Sequence, residues 1–341
     1  MINIPDSMLQ CGLCKNRSSA RFLVRMLAGS TTTMSTAIRV FQGKFGRVAL
    51  LDMDRPLVTH AHSQCHVLIK ASGADTFFAV RDTLHPLTDQ TAVLVNSWEP
   101  HCYAHHNPDA PRTLILALYI EPIWLSEIET GLSSSGQPGF FGRACVELSQ
   151  PIRRLTTALA LQMLHGDQLR EPELETALSN LMMAVIDSFS EWRSFGRSFE
   201  TLLSRRLAHT SDHRIRRALT YMRSHVGGEY DIDKLAREAC LSRAHFFKLF
   251  QQHTSLTPSV YANVLRMEAA IEGLTAGLTS GPSAGPQSIG AVSESLGFAA
   301  QSHFTRFFQQ HLGVAPSQYR RVVDVYRTDK VRAVSGTLQW S

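Results

Sequence analysis

The chain has 341 residues, 44% hydrophobic and 18% charged, enough for two cored domains and unlike a bulk-disordered polypeptide. No apolar run approaches the ~20 residues that cross a bilayer. Six scattered cysteines form no disulfide framework, so the expectation is a reduced, cytoplasmic protein with no membrane partner. The formal charge of +5 is uneven: 17 Lys and Arg stand against 10 Asp and Glu from Arg205 onward, and the first 204 residues hold 17 and 19. A basic C-terminal third beside a near-neutral remainder suggests a nucleic-acid-binding module joined to something else.

Residues 1–35 read as a poorly ordered extension. Its stretch Arg21-Phe-Leu-Val-Arg-Met-Leu-Ala28 is broken by Arg25 and lacks the long apolar core of a secretory signal. Cys11 and Cys14 form a CxxC pair, which serves as a redox couple or as half of a zinc site; no second pair follows nearby to complete one.

Residues 36–200 open with short β-rich runs: Arg47–Leu51, Cys65–Lys70, Thr76–Val80, Thr91–Val95 and Arg112–Ile120. Such spacing predicts a sandwich or small barrel. Histidines gather at two strand starts, His60, His62 and His66 at one and His101, His105 and His106 at the other. The His60-Ala61-His62 and Pro100-His101 pairs resemble the two motifs of a cupin barrel. The carboxylate ligand of the metal-binding cupins is missing, with His66 in its region, and so is the glycine before His101. Three neutral imidazoles can bind a metal. The alternative, favoured by the missing carboxylate, is a metal-free pocket with the histidines as surface, structural or ligand-contact groups; no metal or cofactor is therefore assigned. The cupin resemblance implies an effector pocket near His60, His62, Phe77, Phe78, Trp98 and His101.

Helical periodicity follows. One segment spans about Gly142 to His165, and a second starts after Glu171-Pro172 and places Leu174, Leu178, Leu181, Met182, Val185, Ile186, Phe189 and Trp192 on one face. These helices either cap the barrel or form a self-association surface, which leaves a homodimer open. A linker is expected over 201–213, then a helix through Ile215, Ala218, Leu219, Met222 and Val226 ending at Gly227-Gly228.

The C-terminal part carries a repeat. Ser242–Tyr261 and Ala300–Tyr319 align without a gap, sharing His245/His303, Phe246/Phe304, Phe250/Phe308, Gln251-Gln252-His253/Gln309-Gln310-His311, Pro258/Pro316 and Tyr261/Tyr319. Each copy follows a short amphipathic segment and a small-residue turn, which is the helix-turn-helix plan. The repeated histidines stand singly, so packing or a backbone contact is expected of them. Thr275–Gln287 is a loop by composition, and the tail 323–341 shows no amphipathic pattern.

Several residues carry a resemblance to the DNA-binding domain of the AraC/XylS family of bacterial transcription regulators. They are Leu235-Ala236, Leu241-Ser242, Phe250, Pro258, Arg266, Ala270 and Leu274, then Gly297-Phe298, Ser302, Phe304, Phe308, Gly313, Pro316 and Tyr319-Arg320. Ser255 and Ser293 depart from its usual glycine and alanine. The resemblance implies an α+β chain of two domains. These are a cupin-like sensory barrel with accessory helices and an all-α domain (214–322) whose two helix-turn-helix motifs are joined by a helix. It also implies double-stranded DNA, RNA polymerase and a small effector as partners, regulation that leans to activation, and no enzymatic activity. Ala244, Phe247 and Lys248 would meet bases in one major groove, and Gln301, Ser302, Thr305 and Arg306 in the next. Arg243, Arg320 and Arg321 would meet phosphates. The rival readings are a cupin-type metalloenzyme with a DNA-binding tail, an Ada-like fusion and an architectural DNA binder. The missing carboxylate, the lack of a four-cysteine site and the large β-rich domain weigh against them in turn.

Overall fold

The computed structural model describes residues 35–104, 112–129, 132, 135–136, 139–165, 170–190, 212–228, 231–279 and 286–325. The expected extension with Cys11 and Cys14, the histidines 105 and 106, Trp192 and nearly all of the linker lie outside the described residues. Ten strands make two sheets. The larger runs β10-β1-β2-β8-β3-β6-β9 and the smaller β5-β4-β7. The strands are β1 (Thr36–Gly43), β2 (Gly46–Met53), β3 (Cys65–Gly73), β4 (Thr76–Val80) and β5 (Thr83–Leu87), followed by β6 (Thr91–Val95), β7 (His101–Ala104), β8 (Thr113–Ile120), β9 (Cys145–Glu147) and β10 (Val323–Val325).

β8 shows how sequence period becomes architecture. Its eight residues TLILALYI are all buried, because both faces of the strand are covered. Leu114, Leu116, Leu118 and Ile120 point into a core shared with the accessory helices. Ile115, Ala117 and Tyr119 point the other way, into a core shared with the small sheet and the second helix-turn-helix. The two-residue alternation of a strand divides one apolar run between two cores.

The accessory helices are α1 (Pro122–Ile128), α2 (Gln150–His165) and α3 (Glu171–Phe189). α2 starts later than the periodicity suggested. Cys145–Glu147 instead pairs with β6 as an edge strand, taking up that strand's free backbone groups. Ile152, Leu159 and Met163 of α2 and Leu174, Leu178, Leu181, Met182, Val185 and Ile186 of α3 are buried in the core of the large sheet. The chain thus covers their apolar faces itself, as expected of helices that cap the barrel.

Seven helices follow: α4 (His213–Ser224), α5 (Ile232–Glu238), α6 (Arg243–Thr254), α7 (Pro258–Thr279), α8 (Ile289–Ser295), α9 (Gln301–Leu312) and α10 (Pro316–Val322). Asp212, Asp231, Ser242 and Ser288 cap four of them by accepting a backbone N–H. α6 and α9 both end in a left-handed residue, Ser255 (φ 60°) and Gly313 (φ 81°).

Three expectations are corrected here. α7 runs on to Thr279, so the loop expected from Thr275 begins later. Gly227 does not end α4, which stops at Ser224; a Cβ there would lie 2.2 Å from the Ser295 carbonyl oxygen, and one on Gly297 (φ 78°) would lie 2.1 Å from the Gly227 oxygen. Glycine is required because two backbones touch. The tail is not featureless, since Val323–Val325 adds parallel to the edge of β1, with Val40 opposite Val323, and Arg39 pairs with Asp324 at 3.1 Å.

Candidate nucleic-acid interface and ligand cavity

α6 and α9 turn the same stripe inward. Phe246, Phe250, Phe304 and Phe308 are fully buried. The spacing that buries them turns the other face out: Arg243, Ala244, Lys248, Gln301, Ser302 and Arg306 are exposed, and Phe247 and Thr305 are half-buried. His245 and His303 are exposed as well, against the expectation that they pack, because each sits one residue, or about 100°, off the phenylalanine stripe. They lie on the candidate interface and were missed there.

The three candidate phosphate contacts differ. Arg321 is exposed. Arg243 is exposed and pairs with Asp233 at 3.0 Å, a surface bridge of little energy that can exchange for another anion. Arg320 is turned inward, donating from Nε to the Leu274 carbonyl at 3.2 Å; burial lowers its pKa. It holds α10 to α7, and the phosphate assignment for it is withdrawn.

A cavity of about 380 Å³ lies between the β-rich half and the helical half. Arg47, His60, His62, Tyr119 and Glu121 line one side, and Met267, Glu268, Glu272 of α7 with His311 of α9 line the other. Ser63 Oγ donates across it to Glu268 at 3.2 Å. Burial, with Glu121 nearby, raises the pKa of Glu268. The Arg47 guanidinium lies 4.0 Å from the Tyr119 ring centroid.

The residues expected at a pocket divide. His60 and His62 are on its wall. His101 stands behind them, bridged to His60 by backbone hydrogen bonds of 2.9 and 2.8 Å. Phe78 is in the core against Tyr103, and its strand neighbour Phe77 points out, 38% exposed. Trp98 stacks on Tyr261 of α7, with centroids 5.4 Å apart, and so joins the two halves elsewhere. Arg47, Tyr119, Glu121, Glu268 and His311 were not anticipated. They come from distant elements, and no local motif marks them.

The histidines form one cluster. Nδ1 of His60, His62 and His101 lies 3.0, 3.1 and 2.9 Å from the carbonyls of Val58, Gln64 and Glu99. A carbonyl accepts only, so each of these Nδ1 atoms carries the hydrogen, and Nε2 of each neutral ring keeps its lone pair. His66 Nδ1 sits 3.1 Å from His62 Nε2 and 3.2 Å from His101 Nε2, and the His66 ring stacks on Tyr119 at 4.1 Å. Burial, reinforced by neighbouring imidazoles, takes the pKa of His60, His62 and His66 well down. Burial lowers that of His101 to about 4. All four are neutral near pH 7.

A family model described as a helix-turn-helix domain matches residues 235–322. Over 114 residues the chain is 29% identical to an uncharacterised HTH-type transcriptional regulator of Haemophilus influenzae, covering 33% of this chain and 36% of the relative. The regulatory protein PocR of Salmonella typhimurium is 27% identical over 113 residues, 33% of this chain and 35% of its own. The chain thus spans about a third of the length of these two curated relatives. ToxT from Vibrio cholerae O395 is a solved structure of similar extent, with 12% identity, a TM-score of 0.44 and coverage of 85% of this chain and 98% of that one. The match to the arabinose operon regulatory protein of Salmonella typhimurium reaches beyond the C-terminal region, at 30% identity over 233 residues, 65% of this chain and 71% of the relative. With the duplicated helix-turn-helix and the β-rich domain ahead of it, that match places the chain in the AraC/XylS family of transcription regulators.

Proposed function

We propose that the chain is a sequence-specific DNA-binding transcription regulator, not an enzyme, that acts in the cytoplasm on double-stranded DNA. One observation carries this reading: α6 and α9 bury the same stripe yet expose different outer faces. Equal stripes make equal scaffolds, and unequal faces read unequal sequences. In α9, Arg306 suits a bidentate contact to guanine and Gln301 to adenine, with Ser302 and Thr305 beside them. In α6, Ala244 and Phe247 offer apolar contact to a thymine methyl beside Lys248. Arg243 and Arg321 hold phosphates, which set position without specifying sequence.

A small effector occupies the cavity between the halves. Its walls come from both, so an occupant that binds one relative arrangement better shifts the population toward it. The output is activation through RNA polymerase. Selection of bound sequences from a random pool tests the reading. The expected motif has two elements about 10–10.5 base pairs apart, one helical turn. Binding without sequence preference, or a single element unaffected by changes in α6, would overturn it.

A further inference from the structure

The histidine cluster goes beyond the reading above and does not depend on it. We propose that His60, His62 and His101 form a three-imidazole site for a divalent transition metal of the zinc class, open on its fourth side to the interdomain cavity. One ring nitrogen from each of the three lies within 4.8 Å of the other two. Zinc–nitrogen bonds of about 2.0–2.1 Å place ligand nitrogens about 3.4 Å apart, so small ring movements close the set.

The hydrogen bonds argue for more than proximity. Metal-bound histidines characteristically donate their second N–H to a carbonyl or carboxylate, which fixes the tautomer and aims the lone pair. All three rings do this, each through Nδ1 to a backbone carbonyl within two residues of itself. Three lone pairs are therefore aimed with no protein N–H to satisfy them all. His66 Nδ1 holds at most one hydrogen and lies between two of them, and its own Nε2 is buried with no hydrogen-bond partner. A metal satisfies all three lone pairs together.

Charge and protonation agree. The rings are neutral near pH 7, the form that ligates. Glu121, Glu268 and Glu272 line the adjoining cavity, and a dication there relieves the burial of Glu268. Three neutral imidazoles favour zinc, nickel, copper or iron over magnesium or calcium, which take oxygen ligands. An open fourth position is the mark of a site that also takes water or a ligand, not of a closed structural one. The carboxylate missing from the sequence motif is thus no bar to binding, since the third imidazole and the cavity face supply the coordination.

The test uses the full-length chain without DNA, so its outcome is separate from that of the regulator reading. Chelator-treated protein is dialysed against zinc, and metal content is measured with magnesium as control. Cobalt substitution then reports coordination through its visible absorption. One equivalent of zinc, no magnesium and a four-coordinate cobalt spectrum are expected. His62→Ala and His101→Ala should each abolish stoichiometric binding. Because both side chains are buried, His60→Ala, at the half-buried position, is the variant checked for native circular dichroism, and it should lose the equivalent while staying folded. A Cys11→Ser, Cys14→Ser variant should keep it. The proposal is overturned by wild-type protein that retains no stoichiometric metal, by a folded His60→Ala with an unchanged cobalt spectrum, or by loss of the metal in the double cysteine variant.

Discussion

The two helix-turn-helix copies share a buried stripe and differ in what holds them. Phe246 and Phe250 of the first copy belong to a core made with Ile215, Met222, Leu235 and Tyr261, joined to the β-rich half by Ala61 and Trp98. Phe304 and Phe308 of the second belong to the same core as Val40, Leu51, Leu68, Val93 and Ile115 of the sheet. Further ties bind the second copy: the Val58 N–H donates to the Gln310 carbonyl at 3.0 Å, Gly313 packs against Met53 and Leu57, and β10 adds to β1. The second copy is built into the sensory half, and the first is carried chiefly by α7. A change at the cavity therefore bears on the spacing of the two readers through α7, whose Glu268 and Glu272 form its wall.

The largest test of this asymmetry lies in the cores. Phe308→Ala should cost about 3–5 kcal/mol, and Phe250→Ala a similar amount. Hydrogen exchange separates them: the first variant should lose protection in β1 and β2 as well as α9, the second in α5 and α6 with the sheet retained. Equal loss in the sheet from both would remove the distinction.

Acid should act on the sheet side. A histidine whose folded pKa is lowered is neutral in the native state while the unfolded chain still binds a proton, so its contribution is complete above the unfolded pKa near 6.5. It is lost as pH falls toward the folded value. His101, lowered to about 4, contributes roughly 3 kcal/mol of that loss at about 1.4 kcal/mol per unit. Denaturation midpoints should thus fall between about pH 6.5 and about pH 4, and His101→Gln should flatten the slope.

At the DNA face, Arg306→Ala should weaken binding by about 1–3 kcal/mol at one base position and relax selectivity there. Lys248→Ala should cost less and spread more evenly over sequences. A uniform loss from Arg306→Ala, read on a panel of single-base variants, would refute its base-reading role.

The smallest effect concerns the caps. Ser242 accepts from the His245 N–H at the start of α6, and Ala300 offers α9 no such bond. Ser242→Ala should destabilise by about 1 kcal/mol, and Ala300→Ser should stabilise by about 0.5–1 kcal/mol. Thermal melts of the two variants measure both.

The sequence alone determined the elements whose cause is local. The duplicated stripe with its Q-Q-H and P-S-x-Y continuation, the five apolar strand runs, the start of α3 and the Ser242 cap all follow from periodicity or from one side chain bonding a neighbouring backbone group. Tertiary structure decided what depends on two distant segments meeting. Val323-Asp-Val325 is too short to signal a strand and becomes one because β1 offers an unpaired edge. Arg320 reads as a surface cation until the Leu274 carbonyl takes it. Gly227 reads as a helix stop until the backbone of Ser295 comes within reach. The cavity joins Arg47 and Tyr119 to Glu268 and His311, more than 140 residues later, and no window along the chain holds both sides. The histidines lie between these cases. Their clustering at two strand starts was visible in the sequence, but the backbone carbonyls that aim three lone pairs at one point exist only once His60 and His101 are bridged in the fold.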